Sequence, residues 1–540
     1  MIAGTSEPLA IHAGLEVLRH GGNAADAALT TSLAQIALTA GATVSYAGIM
    51  TAVYYDAASG KVYMLDAGYN TVRNEKEPDT IPRMGEHSGR TALVPGFMAG
   101  VQALHDRFGK LPFAELFSPA VWIAEHGIPL SPLVGVWLGA QGNFATRLPE
   151  GKRLFTKENG DLYKAGDVFR QPELAATLKK VASQGSGYMY NGEWAHHFVD
   201  LVQREGGKMT LEDLAAYHPR LTEQLPMSYR DYEVFALGAP DGGATTLQAL
   251  KMAEAADLKK YGHYSRSPEA LYYLIQMTRI ASAFAFQGPE RLKSYFPDVD
   301  LAPESRLTKQ TSEKLWAHIR RPDWPETMVE LTTGKPGTGW VESHSAGVVV
   351  VDEQGNVASI LHTINCVLWG ATGIFVDGIS VPDSASFQQQ MISRVGPGVR
   401  LPDTTNPLLV LKKGKPVLAS SAVGSGLHEV TVENVINVLD FGMDPYTSVN
   451  QPNTRGPFVG SSILGSLANK PAQPEYEKEA IAGADFPQVV LDGVRAHGQA
   501  IKIVSTYDQP GYWVGIQIDP ESRKLRGGAT PLLPALVEGY

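Results

Sequence analysis

β-Rich segments stand at both ends of this chain, and residues 97–330 between them read as mostly helical. Met50-Thr51-Ala52-Val53-Tyr54-Tyr55 and Lys61-Val62-Tyr63-Met64-Leu65 flank Asp56-Ala57-Ala58-Ser59-Gly60, a turn composition that predicts a hairpin. After the loop Lys335-Pro336-Gly337-Thr338-Gly339, the run Gly347-Val348-Val349-Val350-Val351 opens a second β-rich region. There Asp352 to Asn356 forms a turn and Val357 to His362 returns as its paired strand. Pro407 to Leu411 and Pro416 to Ala419 flank Lys412-Lys413-Gly414-Lys415 as another hairpin, and late strands are predicted at Ile501 to Thr506 and Tyr512 to Ile518. Helices are predicted at Glu429 to Phe441, ending at Gly442, and as a pair from Pro8 to about Leu38, broken at Gly21-Gly22-Asn23 with Asp26 in the first turn of the second. A single β-like piece near Tyr229 to Leu237 interrupts the helical block. Strand pairs so far apart bury their apolar faces by stacking, with helices outside, so the expected fold class is α+β, a four-layer αββα sandwich.

At 540 residues the chain holds two to four domains or one enlarged multilayer domain. A formal net charge of −10 repels polyphosphate, so nucleic acid is not an expected partner. Ala27 to Tyr55 is long and uncharged enough to cross a bilayer, but its hydroxyls and Gln35 indicate a buried helix followed by a buried strand, and no membrane partner is expected. Met1-Ile2-Ala3-Gly4 has neither a basic nor an apolar leader segment, so the expectation is a cytoplasmic chain, or a periplasmic or secreted one if a leader was removed.

Cys366 is the sole cysteine, and none of the 14 histidines sits in an H-E-x-x-H or H-x₃₋₅-H pair, so no metal and no cofactor is expected and hydroxyls become the candidate nucleophiles. Gly424-Ser425-Gly426 imitates a G-x-S-x-G elbow, but the spacing fails. Ser345 differs because it stands where a long helical region and a loop give way to a strand. Cutting the peptide bond ahead of it would give that hydroxyl its own α-amine, of pKa about 8, as general base. The bland reading is a strand-entry serine that caps a turn.

Gly21-Gly22-Asn23-Ala24-Ala25-Asp26-Ala27-Ala28, then Pro95-Gly96-Phe97-Met98-Ala99-Gly100 with Phe108-Gly109-Lys110-Leu111, then Asn437-Val438-Leu439-Asp440-Phe441-Gly442-Met443-Asp444-Pro445 follow one another along nearly the whole chain. In this order they resemble the γ-glutamyltransferase (γ-glutamyltranspeptidase) family. The resemblance implies the N-terminal nucleophile hydrolase superfamily: a zymogen cleaves itself before a threonine, and the new N-terminal residue attacks a small amide, passing the acyl group to water or an amine. It divides the chain into residues 1–344, large-subunit-like, and 345–540, small-subunit-like, both contributing to one fold. A heterodimer of the self-cleaved chains, or a homodimer, is the assembly it implies.

The family's T-T-H-x-S-V-V-D pattern, counted back from Asp352, implies Ser345 as nucleophile; here the chain reads Glu342-Ser343-His344-Ser345-Ala346-Gly347, and Ser343 is the alternative. Thr363 would support the nucleophile and Asn365 would hold substrate, although both can equally be strand-edge hydrogen-bonders. Gly424 and Ser425 fall where backbone N–H groups hold the oxyanion, Asp403 and Thr404 where paired serines meet the substrate carboxylate, and Asp383 where an acid receives its α-amine. The main departure lies at Asp66-Ala67-Gly68-Tyr69-Asn70-Thr71-Val72, where the family writes D-x-R-E-T-A-P: Gly68 replaces the guanidinium that pairs with the γ-glutamyl carboxylate. Losing such a pair costs about 2–5 kcal/mol of binding, so an amide other than glutathione is expected unless Arg73, Arg394 or Arg400 compensates. Tyr46, Tyr69 and Trp369 are read as an aromatic lining of the pocket. Two other readings stay open: an unprocessed single chain with lyase- or isomerase-like chemistry, using His344 or His362 as base, and a catalytically silent binding protein.

Overall fold

The structure, a computed structural model, describes residues 1–83, 86–332, 345–366, 368–370, 372–455, 479–505, 511–531 and 534–540. The predicted hairpins form where turn residues separate apolar alternation. β2 (Ile49–Asp56) pairs with β3 (Lys61–Ala67), β7 (Ser345–Val351) with β8 (Val357–Thr363), and β9 (Leu408–Lys412) with β10 (Lys415–Val423). With β1 (Ile2–Gly4), β4 (Arg220–Glu223) and β13 (Leu536–Glu538), the first two hairpins build a seven-stranded sheet in the order β13-β1-β7-β8-β2-β3-β4. A six-stranded sheet, β12-β11-β10-β9-β6-β5, takes in β5 (Met227–Tyr229), β6 (Tyr232–Phe235), β11 (Tyr512–Ile518) and β12 (Leu525–Ala529). The strand at Ile501–Val504 instead joins a small three-stranded side sheet.

Alternation along each strand sorts the side chains into layers. Val349 and Val351 of β7 meet Leu409, Ala419 and Val514 in a core between the two sheets. Ala346, Val348 and Val350 face the other way, into a core shared with α1 (Pro8–Arg19), α2 (Ala24–Leu38), α3 (Phe97–Phe108), α4 (Ser118–His126), α5 (Pro172–Gln184) and α6 (Glu193–Arg204). The outer face of the six-stranded sheet is covered by α7 (Gly243–Ala255), α8 (Pro268–Phe286), α9 (Lys309–Ile319), α10 (Leu427–Leu439) and α11 (Gln488–Ala496). This is the αββα sandwich. Both sheets take strands from both sides of position 345, and in the seven-stranded sheet these strands interleave.

The uncharged stretch from Ala27 folds as expected: every residue of α2 is buried, and the Thr31 and Ser32 hydroxyls donate to the carbonyls of Ala27 and Ala28 one turn back. Among the described residues no helix is long and apolar enough to cross a membrane. The conspicuous motifs are staples of this frame. Asn23 caps α2 in a capping box with Asp26, and the Asp26 carboxylate also accepts the N–H groups of Lys110 and Leu111 at 3.1–3.2 Å. Asn23 Nδ2 donates to Phe108 O at 2.6 Å, so the first motif closes on the second. In the third motif, Asp440 accepts Arg230 at 2.6 and 3.0 Å and Tyr229 Oη at 2.9 Å. Because Asp26 is fully buried, Asp26→Ala strands several donors and should lower unfolding stability by about 3 kcal/mol, read as a lower denaturant midpoint at unchanged m-value.

Candidate active site

Ser345 is the first residue of β7 and pairs directly with Thr363, the last residue of β8. Both lie on the inter-sheet face of their strands, the face that holds Val349 and, on β8, Ser359, whose Oγ donates to Ser420 O across the sandwich at 2.6 Å. Ser421 Oγ then donates to Ile360 O at 3.0 Å, so β10 runs alongside β8 in the same direction and both strands finish at the same end of the sandwich. Gly347 sits two residues into β7, where an added Cβ would come within 2.5 Å of Ser421 Oγ, so the two sheets can approach only because it is glycine.

β10 leaves this end through Gly424, whose φ of +91° favours glycine, and Ser425-Gly426 then lead into α10. The N–H groups of Ser425 and Gly426 find no acceptor among the described residues. They open at the positive end of a 13-residue helix. Just past Thr363, the Asn365 N–H donates to Thr363 Oγ1 at 3.1 Å, and Asn365, held at φ +50°, gives its amide to the Asp403 carboxylate. Asp403 also accepts the Thr405 N–H at 2.8 Å, and Thr405 is tied to Thr51 of β2 at 2.7 Å. Burial raises the Asp403 carboxyl, against hydrogen bonds from Thr405 and Asn365.

Tyr69 Oη and Ser384 Oγ both donate to Ile364 O, at 3.1 and 2.6 Å, bringing the Tyr69 and Asp383 segments to the same corner. Asp383 accepts Ser386 Oγ and lies against Cys366, whose thiol is pushed up by burial and by that carboxylate, so the sulfur stays protonated and unreactive. The Thr404 backbone packs on Gly242, where an added Cβ would meet Thr404 O at 2.1 Å. Tyr46 and Trp369 belong elsewhere. Tyr46 packs on Phe97 in the helical layer with its hydroxyl on Leu33 O, and Trp369 joins a separate cluster with Phe155 and donates to Ala40 O.

No substitute cation comes from the three arginines considered in the sequence. Arg400 is spent: Nε donates to Asn70 Oδ1 at 2.8 Å, Nη2 to His218 O at 2.9 Å, and Nη1 to Asp66 O at 2.7 Å while lying 2.6 Å from the Asp66 carboxylate. Its Cδ lies 3.3 Å from where a Gly68 Cβ would stand. Arg73 is half-exposed, 3.9 Å from Asp213, and Arg394 is exposed.

His362 points away from Ser345, into the helical layer, where Nε2 meets Gln35 Oε1 at 2.9 Å and the ring packs on Phe97. Full burial pulls its imidazole down to about 3, so it is neutral at working pH and is no base for this site. Ser343 and His344 lie outside the described residues. Because the folded pKa lies below the unfolded one, His362 contributes stability that is complete above pH ~6.5 and is lost as pH falls toward 3. Between pH 7 and pH 4, His362→Gln should therefore lose ~3 kcal/mol less than wild type in matched urea titrations.

The sequence model of the γ-glutamyltranspeptidase family matches residues 10–532. The chain belongs to this family. A γ-glutamyltranspeptidase relative, "Glutathione hydrolase-like YwrD proenzyme" from Bacillus subtilis (strain 168), is 26% identical over 97% of this chain and 95% of its own length. "Acylase ACY 1 proenzyme" from Pseudomonas sp. (strain SE83) is 27% identical over 83% of this chain and 81% of its own. In fold, the chain is similar to the cephalosporin acylase from Bacillus halodurans, with a TM-score of 0.79 at 21% identity, covering 100% of this chain and 96% of that one. The γ-glutamyltranspeptidase family places this protein among enzymes of the N-terminal nucleophile hydrolase type.

Against that family background, the structure gathers Ser345, Thr363, Asn365, Asp403, Asp383 and Tyr69 at one end of the sandwich, and the register brings Gly424 and Ser425 to the same end. Asp241 escaped the sequence reading. It accepts the Asp403 N–H at 2.9 Å, and burial, with Asp66 and Asp403 nearby, lifts it to about 7. Nothing in the turn Pro240-Asp241-Gly242 signals this, because its partner lies far along the chain.

Proposed function

We propose that this protein is an autoprocessing amidohydrolase and acyltransferase that acts through Ser345 on a small amide other than glutathione. The observation that carries the reading is the seat of Ser345: the first position of a central strand, its side chain facing between the sheets beside Thr363. Hydrolysis of the 344–345 peptide bond frees the α-amine of Ser345. That amine takes the proton as Oγ attacks the substrate carbonyl and returns it to the leaving nitrogen, forming an acyl ester and releasing an amine. The amides of the Gly424–Ser425 turn face the developing oxyanion, supported by the helix end behind them. Water or an acceptor amine then takes the acyl group.

Thr363 steadies the Ser345 hydroxyl, while Asn365, Asp403, Thr404, Asp383 and Tyr69 shape the acyl pocket. Relatives named proenzymes include both glutathione hydrolases and acylases, which favours self-cleavage into a heterodimer and leaves substrate choice to the pocket. The pocket argues against glutathione: Gly68 offers no guanidinium, Arg400 is occupied by Asp66 and its neighbours, and Asp403 repels a carboxylate. Mass spectrometry of purified protein should find fragments 1–344 and 345–540. An amide panel should give higher kcat/KM for substrates without the γ-glutamyl α-carboxylate than for γ-glutamyl-p-nitroanilide. An intact active chain would overturn the mechanism, and a γ-glutamyl preference would overturn the substrate class.

A further inference from the structure

A cation without a counter-ion among the described residues is buried between α7 and α8, close enough to the first turn of α10 to act on His428. Arg306, just ahead of α9, is 7% exposed, and no carboxylate among the described residues lies within ion-pair distance of it. Its Nε donates to Gln248 Oε1 at 2.6 Å, and its Nη2 donates to Thr245 Oγ1 at 3.2 Å and Ala281 O at 2.9 Å. Nη1 has no partner among the described residues. Burial lowers this guanidinium only to about 10, so it stays charged at neutral pH. Burying an unpaired charge is costly, and proteins ordinarily offset it with an anion.

The groups around Arg306 are donors too. Gln248 uses its oxygen on Arg306, which leaves Nε2 as a buried donor with no acceptor among the described residues. Thr246 Oγ1 accepts Asn406 Nδ2 at 3.1 Å, and the acceptor for its own proton among the described residues is His428 Nδ1, also 3.1 Å away. That assigns the proton of neutral His428 to Nε2, a second buried donor without an acceptor among the described residues. His428 stands in the first turn of α10, two residues after Gly426, and feels the Arg306 charge. The one unmet acceptor in this network, among the described residues, is Asn406 Oδ1.

We propose that Arg306, Gln248 and His428 form a carboxylate-binding site beside the first turn of α10, filled either by a carboxylate on the substrate's acyl chain or by a free carboxylic acid. Each unmet donor then gains an acceptor, and the guanidinium gains a counter-charge. The site uses a cation other than Arg73, Arg394 and Arg400. It does not depend on Ser345 being the nucleophile.

Gln248→Glu tests it. The replacement is close in size and puts a carboxylate beside Arg306, so it should raise Tm on its own and take the place of the ligand. Thermal unfolding with acetate, succinate and chloride at constant ionic strength should show, for wild type and Ser345→Ala alike, a saturable rise in Tm of several degrees with the carboxylates and not with chloride. Gln248→Glu should abolish that rise, and Arg306→Lys should weaken it, because an ammonium lacks the planar fork. Turnover of succinyl- against butyryl-p-nitroanilide separates the two sources. A substrate carboxylate makes the kcat/KM ratio fall at least tenfold in Gln248→Glu, whereas a free acid leaves the ratio unchanged and inhibits or activates both substrates equally. If no carboxylate stabilises wild type beyond chloride, or if Gln248→Glu responds as wild type does, the site does not exist.

Discussion

Ser345→Ala is expected to remain a single polypeptide and to lose turnover by about 10⁴-fold or more, the scale on which removal of a covalent nucleophile acts. Two losses coincide in that variant. Alanine cannot attack a carbonyl, and without cleavage the chain exposes no α-amine at position 345 to accept a proton. Folding should be untouched, because alanine keeps the Cβ that faces the inter-sheet space beside Thr363 and removes only the hydroxyl. Ser345→Thr offers the complementary result: the added methyl suits a strand position, and cleavage should persist. Intact mass, far-UV circular dichroism and a rate on the best amide substrate check all three statements. Cleavage of Ser345→Ala ahead of residue 343 would transfer the role to Ser343.

Arg400→Leu should cost about 3–5 kcal/mol of stability, the largest effect expected of a single substitution outside the apolar cores. The guanidinium holds Asp66, Asn70 and the His218 carbonyl at once and lies over the Tyr217 ring, with its side chain only 5% exposed. Removing it leaves Asp66 with Arg220 at 3.7 Å, a residue mostly in solvent, while Asp241 and Asp403 stand nearby. Arg400→Lys should recover less than half of the loss, since one ammonium cannot serve acceptors arranged for a planar fork. Equilibrium denaturation gives the number, and a loss below 1 kcal/mol would mean that the network is not holding this corner together.

The hairpins were readable because each is a local event. Asp56 to Gly60, Asp352 to Asn356 and Lys412 to Lys415 are turns between apolar runs, and pairing across a short turn needs no distant partner. The paired helices at the N-terminus were equally local, with Asn23 and Asp26 marking the start of the second. The resemblance motifs say more about architecture than about chemistry. Asn23 and Asp26 clasp Phe108 to Leu111, and Asp440 clasps Arg230 and Tyr229, so these residues hold layers together and make no contact with the candidate site residues. Roles assigned through aromatic character failed at Tyr46 and Trp369, because an aromatic ring serves a core as readily as a pocket and spacing does not distinguish the two.

The sequence by itself determined the main hairpins, the paired N-terminal helices and the layer order, since periodicity, turns and caps act over a few residues. It also determined that position 68 brings no guanidinium. Only the tertiary structure decided which polar groups are already satisfied: that Arg400 is consumed by Asp66, that Asp241 accepts the Asp403 N–H, that His362 faces the helices, and that Arg306 has no counter-ion among the described residues. The physical reason is that a charge in a folded protein is defined by what lies within a few ångströms of it, and here those neighbours come from segments tens to hundreds of residues away.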